Sequence, residues 1–238
     1  MPESIISVKS LIFSYPGKAP VIKNATFEIS PGEIVAITGL SGSGKTTLAY
    51  ILKGLIPHSI RGEFSGDVIV ANYPVKTTKI STLAAHVGMV FQDLNSQLFS
   101  ATVIEEIRFG LRNMHLDLAW ADEALQHLQI EHLRDHNPLN LSAGQKQRVI
   151  LASVIATKPK ILILDEPSAH LDAPSKVILR DWLRQLNQER GITIILIDQD
   201  PWMVGELCSR ALLIDGHTVS PVSMDRVLTK EPTWRWAL

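Results

Sequence analysis

Residues 39–47 read GLSGSGKTT, and what flanks them decides the fold. An apolar run, Glu33 to Thr38, leads in. A run with apolar residues at Leu48, Ile51, Leu52 and Leu55, spaced as on one helix face, leads out and is stopped by Gly54 and Pro57. Strand, glycine-rich loop and helix in that order match the phosphate-binding pattern G-x-x-x-x-G-K-[ST] in full. Gly39, Gly42 and Gly44 let the backbone curl so that its N–H groups converge on phosphate oxygens. A helix beginning near Lys45 adds its positive end to the same place. Lys45 is placed to reach the outer phosphates and Thr46 to offer a hydroxyl to magnesium, with Ser41, Ser43 and Thr47 completing the candidate contacts. The expected ligands are the phosphates of a nucleotide and Mg2+.

Working outward, the chain alternates in type. Ile5 to Tyr15 and Val21 to Ile29 read as strands separated by a Pro16-Gly17 turn, and Pro31-Gly32 turns into the strand before the loop, suggesting antiparallel β over the first 35 or so residues. Residues 58–74 read as loop and short strand, and Val87 to Phe91 as a buried strand. Ala119 to Leu133 has helical spacing. Lys160 to Leu164 and Ile192 to Ile197 are strands without alternation, as expected when both faces are covered. Lys176 to Gln188 reads as a helix between them. Uninterrupted strands separated by amphipathic helices predict an α/β fold with a mostly parallel sheet. Helices are expected between 76 and 135, without a place against the sheet.

Composition bounds the rest. At 238 residues the chain can bury a sizeable core, and 24 acidic against 23 basic residues give no electrostatic case for nucleic acid. One cysteine, Cys208, excludes an internal disulfide framework and fits a reducing compartment. Neither a signal peptide nor a membrane-spanning run is legible, so a cytosolic location is expected. Trp234 and Trp236, near the end of the sequence, suit a docking tail or a point of truncation.

Two further stretches carry chemistry. ILILDEP, residues 161–167, ends a buried strand in two carboxylates, a costly placement unless a cation or a reacting water uses them. Asp165 is placed to hold magnesium through water and Glu166 to polarise an attacking water; the plainer reading makes Asp165-Glu166-Pro167 a helix start. LSAGQKQR, residues 141–148, has Ser142 as a helix N-cap with Gln145 three residues on.

With these segments in this order, the chain from Ile6 to about Lys230 resembles the nucleotide-binding cassettes of ABC transporters. The resemblance implies one P-loop NTPase cassette over 1–238, open to continuation in a longer or two-cassette protein. It implies an N-terminal antiparallel β subdomain and, within about 76–155, a helical subdomain carrying the signature motif. Residues 141–145 match that motif, with Ala143 where a second glycine is usual. Ser142, Gly144 and Gln145 then contact the γ-phosphate of an ATP held by a partner cassette. Tyr15 resembles the aromatic that stacks on adenine, though as a bare residue it reads as an ordinary strand aromatic. Gln92 matches the glutamine that senses magnesium and the γ-phosphate. Asp172 matches the aspartate of the loop that crosses between cassettes. His170, where a small residue is usual, reads as a surface residue.

The family places a histidine after the strand that here is Ile192 to Ile197, in a pattern like T-H-D, where it contacts the γ-phosphate. Here the strand ends in Asp198-Gln199-Asp200. Glutamine gives and takes hydrogen bonds but carries no charge and does not titrate. With Glu166 as catalytic carboxylate, the expectation is ATP hydrolysis slowed by Gln199, in a pair with a non-identical cassette, the alternative being a plain homodimer that tolerates the change. NSQLFSATVIEEIRFGL, residues 95–111, is similar to the same stretch in ATPases of energy-coupling factor importers. That similarity implies a transmembrane partner docked near Gln92 and a peripheral place on the cytoplasmic membrane face. Alternatives are a weakly hydrolysing partner cassette and a non-transport ABC ATPase.

Overall fold

All five residues of the strand Ile161–Asp165 are buried, because the sheet that holds them is sandwiched between two separate cores. Leu162 and Leu164 face one core with Ile194 and Leu196; Ile161 and Ile163 face the other with Ile195 and Ile197. A strand's side chains point alternately to its two faces. With both faces apolar, the sequence shows no alternation, and each fully buried Ile or Leu contributes about 1.5–3 kcal/mol.

The structure, a computed structural model, describes residues 4–169 and 171–230. The readings of His170 and of the 233–238 tail lie outside them. In chain order the elements begin β1 (Ile6–Ser14), β2 (Ile22–Ile29), β3 (Ile34–Gly39), α1 (Lys45–Lys53), α2 (Leu55–His58), β4 (Glu63–Val70) and β5 (Tyr73–Pro74). Next come α3 (Ile80–Ala84), β6 (Val87–Val90), α4 (Val103–Asn113), α5 (Trp120–His127), α6 (Ala143–Ile155) and β7 (Ile161–Asp165). The remainder is α7 (Ala173–Arg190), β8 (Thr193–Ile197), α8 (Pro201–Leu207), β9 (Arg210–Asp215), β10 (Thr218–Ser223) and α9 (Met224–Lys230).

The strands make two sheets. One is antiparallel, in the order β2-β1-β4-β5; the other runs β10-β9-β3-β8-β7-β6 and is parallel except for β10. Between them lies the core of Phe13, Phe27, Leu48 and Ile51, so α1 is the filling of a sandwich of two sheets. On the far face of the parallel sheet, α4, α5 and α6 share a core with α7 and α8 through Ile107, Leu125, Leu151, Leu183 and Val204. That packing places α4 and α5, which the sequence leaves unplaced, while α3 packs into the other core through Leu83.

Several boundaries differ from expectation. The helix expected from Ala119 to Leu133 stops at His127, because Gln129 turns left-handed at φ 54° and only a short 3-10 turn, Glu131–Leu133, follows. The helix expected from Lys176 to Gln188 is longer, from Asp172 as N-cap, with Pro174 in its first turn, to Gly191 at φ 63°. Residues 63–70 make a full strand beside β1, and β9 and β10, unread in the sequence, extend the parallel sheet.

Candidate nucleotide-binding and hydrolysis site

The site lies where β3, β7 and β8 end, at the carboxyl edge of the parallel sheet, the side on which such sheets bind ligands. The loop after β3 needs its glycines for two separate reasons. Gly39, Gly42 and Gly44 sit at φ 144°, 76° and 111°, where a side chain is strained. At Gly39 a Cβ would also fall 2.4 Å from the Ile214 carbonyl oxygen, and at Gly44 one would fall 2.9 Å from Val21 Cγ1.

Gly44 leads directly into α1, whose first turn carries no acidic residue, so no carboxylate of that turn competes for its free N–H groups. Lys45 Nζ donates to the carbonyls of Gly39 (2.9 Å) and Leu40 (3.0 Å), curling back over the loop it belongs to. Burial lowers the Lys45 pKa, partly offset by the charges of Glu166 and Asp165.

Asp165, 2% exposed, closes the far side. Burial raises its pKa, against the pull of a hydrogen bond with Thr46 and the charge of Lys45, and with the neighbouring Glu166 adding to the rise. A magnesium ion with its waters suits this donor set: one hydroxyl and one buried carboxylate, both oxygen ligands. Ser43 Oγ is buried and has no hydrogen-bond partner, an unmet polar atom in the loop that a phosphate oxygen would satisfy. The residues present therefore fit magnesium and a phosphate chain. Among the described residues no cluster of three or more His, Cys, Asp or Glu could hold a metal ion.

Glu166 is held on three sides. Its N–H donates to the Ile197 carbonyl at 2.7 Å, fixing a left-handed backbone at φ 51°. That conformation costs a residue with a Cβ on the order of 1 kcal/mol, and it turns the side chain toward the two glutamines. Gln92 Nε2 donates to Glu166 Oε2 at 2.6 Å, and Gln199 Nε2 donates to Oε1 at 2.9 Å. Gln92 leaves β6 and Gln199 leaves β8, the end strand and an inner strand of the same parallel sheet.

Tyr15, after β1, meets the same loop from the other sheet: its hydroxyl is 3.0 Å from Thr47 Oγ1, and its ring packs edge-on against Phe13. Ser142, Gly144, Gln145 and Asp172 stand apart, and among the described residues no hydrogen bond joins them to residues 39–47. Ser142 and Gln145 form a reciprocal capping box at the start of α6. Asp172 caps α7 by accepting from the Ser175 N–H at 3.0 Å, and Ser175 holds its carboxyl below the usual range. A Cβ on Gly144 would lie 3.5 Å from Ser175 Oγ, so the starts of α6 and α7 form one exposed edge.

One buried group was not singled out by sequence reasoning for any role. Asp198, 4% exposed, accepts three hydrogen bonds, two from Ser168 and one from the Asp200 N–H. The signal was present, a carboxylate directly after a buried strand, but its partner Ser168 is 30 residues away in sequence.

A family model described as ABC transporter matches residues 22–169. A protein of Pyrococcus abyssi, provisionally named an ABC transporter ATP-binding protein, is 39% identical over 224 residues, covering 91% of this chain and 79% of its own length. One of Caldanaerobacter subterraneus with the same provisional name is 39% identical over 201 residues, which are 82% of this chain but 35% of that protein. Among solved structures, CbiO1 from Clostridium perfringens, part of the ABC transporter complex CbiONQ, superposes with a TM-score of 0.85. It is 34% identical, over 96% of this chain and 92% of its own. A dimeric ATP-binding cassette in a post-hydrolysis state with ADP and Pi gives a TM-score of 0.80 at 26% identity, over 92% and 98% of the two chains.

Proposed function

The chain belongs to the ABC transporter family of ATP-binding proteins, and from that premise we propose that it is the ATPase of a membrane importer of the energy-coupling factor type. The observation that carries the catalytic reading is the Glu166 carboxylate, held by Gln92 and Gln199 at the end of the strand that also presents Asp165. CbiO1, a part of a transporter complex, supports the importer class by its likeness to this chain.

The roles follow from the chemistry of each group. N–H groups of residues 39–47 and the Lys45 ammonium bind the phosphates; on arrival of ATP, Lys45 exchanges the Gly39 and Leu40 carbonyls for phosphate oxygens. Thr46 and Asp165 hold magnesium, which when bound neutralises charge on the phosphates. Glu166 takes the proton of the attacking water. Each of its oxygens has two lone pairs, so one that accepts from a glutamine still has room for that water. Gln92 links the magnesium side of the site to Glu166, and Tyr15 offers its ring to the adenine.

Ser142, Gly144, Gln145 and Asp172 are proposed to serve the ATP of a second cassette, head to tail. Their position on an exposed edge without a bond to the phosphate loop supports that division. The cassette is read as one unit over 1–238, with its helical subdomain within about 76–155. The transmembrane partner would dock near Gln92, where Phe99 (60% exposed) and Phe109 (46%) pack edge to face, on the cytoplasmic side of the membrane. Among the described residues no helix is long and apolar enough to cross a membrane.

A second reading is favoured by Gln199. Without the charge of an imidazole, this site turns over slowly, and the chain pairs with a non-identical cassette that does most of the hydrolysis. Steady-state hydrolysis of Mg-ATP by the purified chain beside Gln199→His separates the two. A nearly silent parent and an active variant support the asymmetric pair; brisk turnover that the substitution leaves unchanged removes it.

A further inference from the structure

Asp198 sits between the sheet and the site, and both of its carboxylate oxygens accept hydrogen bonds. Oδ1 accepts from Ser168 Oγ at 2.8 Å and from the Asp200 N–H at 2.9 Å; Oδ2 accepts from the Ser168 N–H at 3.2 Å. Ser168 lies two residues past Glu166, in the turn that leaves β7. Asp198 opens the turn that leaves β8 and precedes Gln199. The far side of that second turn is held as well: Asp200 pairs with Lys176 in the first part of α7 at 2.6 Å. A buried carboxylate is tolerated only when donors surround it, and here the donors come from two separate turns.

Gln199 itself is exposed. Fixing a glutamine side chain costs about as much as one hydrogen bond to a carboxylate returns, so the bond to Glu166 depends on how well the backbone beneath it is fixed. We infer that Asp198 is a positioning residue for hydrolysis: it locks the turn carrying Gln199 against the turn carrying Glu166, and so brings the Gln199 amide onto Glu166 Oε1. This rests on the reading of Glu166 as the hydrolytic carboxylate.

Two substitutions cut the link in different places. Ser168→Ala removes the hydroxyl bond alone. Asp198→Asn keeps a carbonyl oxygen for Ser168 Oγ and the Asp200 N–H, but sets its own NH2 against the Ser168 N–H, donor against donor. Each is measured alone and combined with Gln199→Ala, in the full chain with Mg-ATP.

Each change should lower kcat roughly 3- to 10-fold and leave KM for ATP within about twofold. In the Gln199→Ala background the further loss should shrink below about twofold, because the group being positioned is gone. Losses that persist at full size in that background, or that appear in KM, overturn the proposal. A second readout does not need turnover: the side-chain amide NMR signal of Gln199, identified by its disappearance in Gln199→Ala, should shift in Ser168→Ala while backbone dispersion is retained. An unmoved signal also overturns it. If Glu166→Gln hydrolyses ATP like the parent, the fault lies in the reading of Glu166; if that variant is dead and the Asp198 and Gln199 effects simply multiply, it lies in Asp198.

Discussion

Lys45 and Cys208 show how far burial sets the chemistry of a residue. Lys45 is buried with its ammonium on two carbonyls and two carboxylates nearby; replacing it by methionine keeps the stem and removes the charge. Lys45→Met should weaken ATP binding roughly 10- to 100-fold, the worth of one or two charge-assisted hydrogen bonds, as read by titration calorimetry. Cys208, 7% exposed, has its thiol pKa raised first by burial and then by the Asp198 charge. It stays a thiol at neutral pH, and a disulfide reagent should label it only at the rate at which the protein unfolds. Labelling at the rate of a free thiol would contradict the packing around α8. At this scale much was legible. The loop glycines, Lys45 and Asp165 announce themselves because their chemistry depends on neighbours in sequence. Asp198 does not, because its meaning comes from Ser168, which only the adjacency of β7 and β8 brings close.

Elements are held by contacts that a sequence window cannot contain. Gly88 in β6 lies under α6, where an added Cβ would come within 2.4 Å of Val154 Cγ1 and 3.1 Å of Pro159 Cγ. Gly88→Ala should therefore cost about 1–3 kcal/mol by overpacking, measured as a lower urea midpoint. Lys53 closes α1 by donating Nζ to the Val87 carbonyl, and burial lowers its pKa from 10.5 to about 8. Between those two values the unfolded chain binds a proton that the folded chain has released, so this group adds stability as pH rises from about 8 toward 10.5. Urea unfolding across that range should show the parent gaining on Lys53→Met; parallel curves would contradict a buried amine. The strands β3, β7 and β8 are readable because a parallel sheet covered on both faces makes unbroken apolar runs. β4 is harder, since its outer face is exposed and it borders loops, and α5 ends where Gln129 turns left-handed, a turn without a glycine to mark it.

For the whole molecule, the proposed head-to-tail pairing gives the exposed edge at the starts of α6 and α7 and the phosphate loop to two halves of a site, each to be completed by a second copy or a second cassette. ATP would bind the paired state better than the separate one and shift the population toward it, so Glu166→Gln, which keeps the phosphate contacts and loses the carboxylate, should accumulate as a nucleotide-bound pair in size-exclusion chromatography with Mg-ATP. The measurement that tests the central claim most directly is phosphate released per bound ATP in a single turnover, parent against Glu166→Gln. The variant should bind ATP as the parent does and release phosphate at least about 100-fold more slowly. Release at the parental rate would contradict the claim.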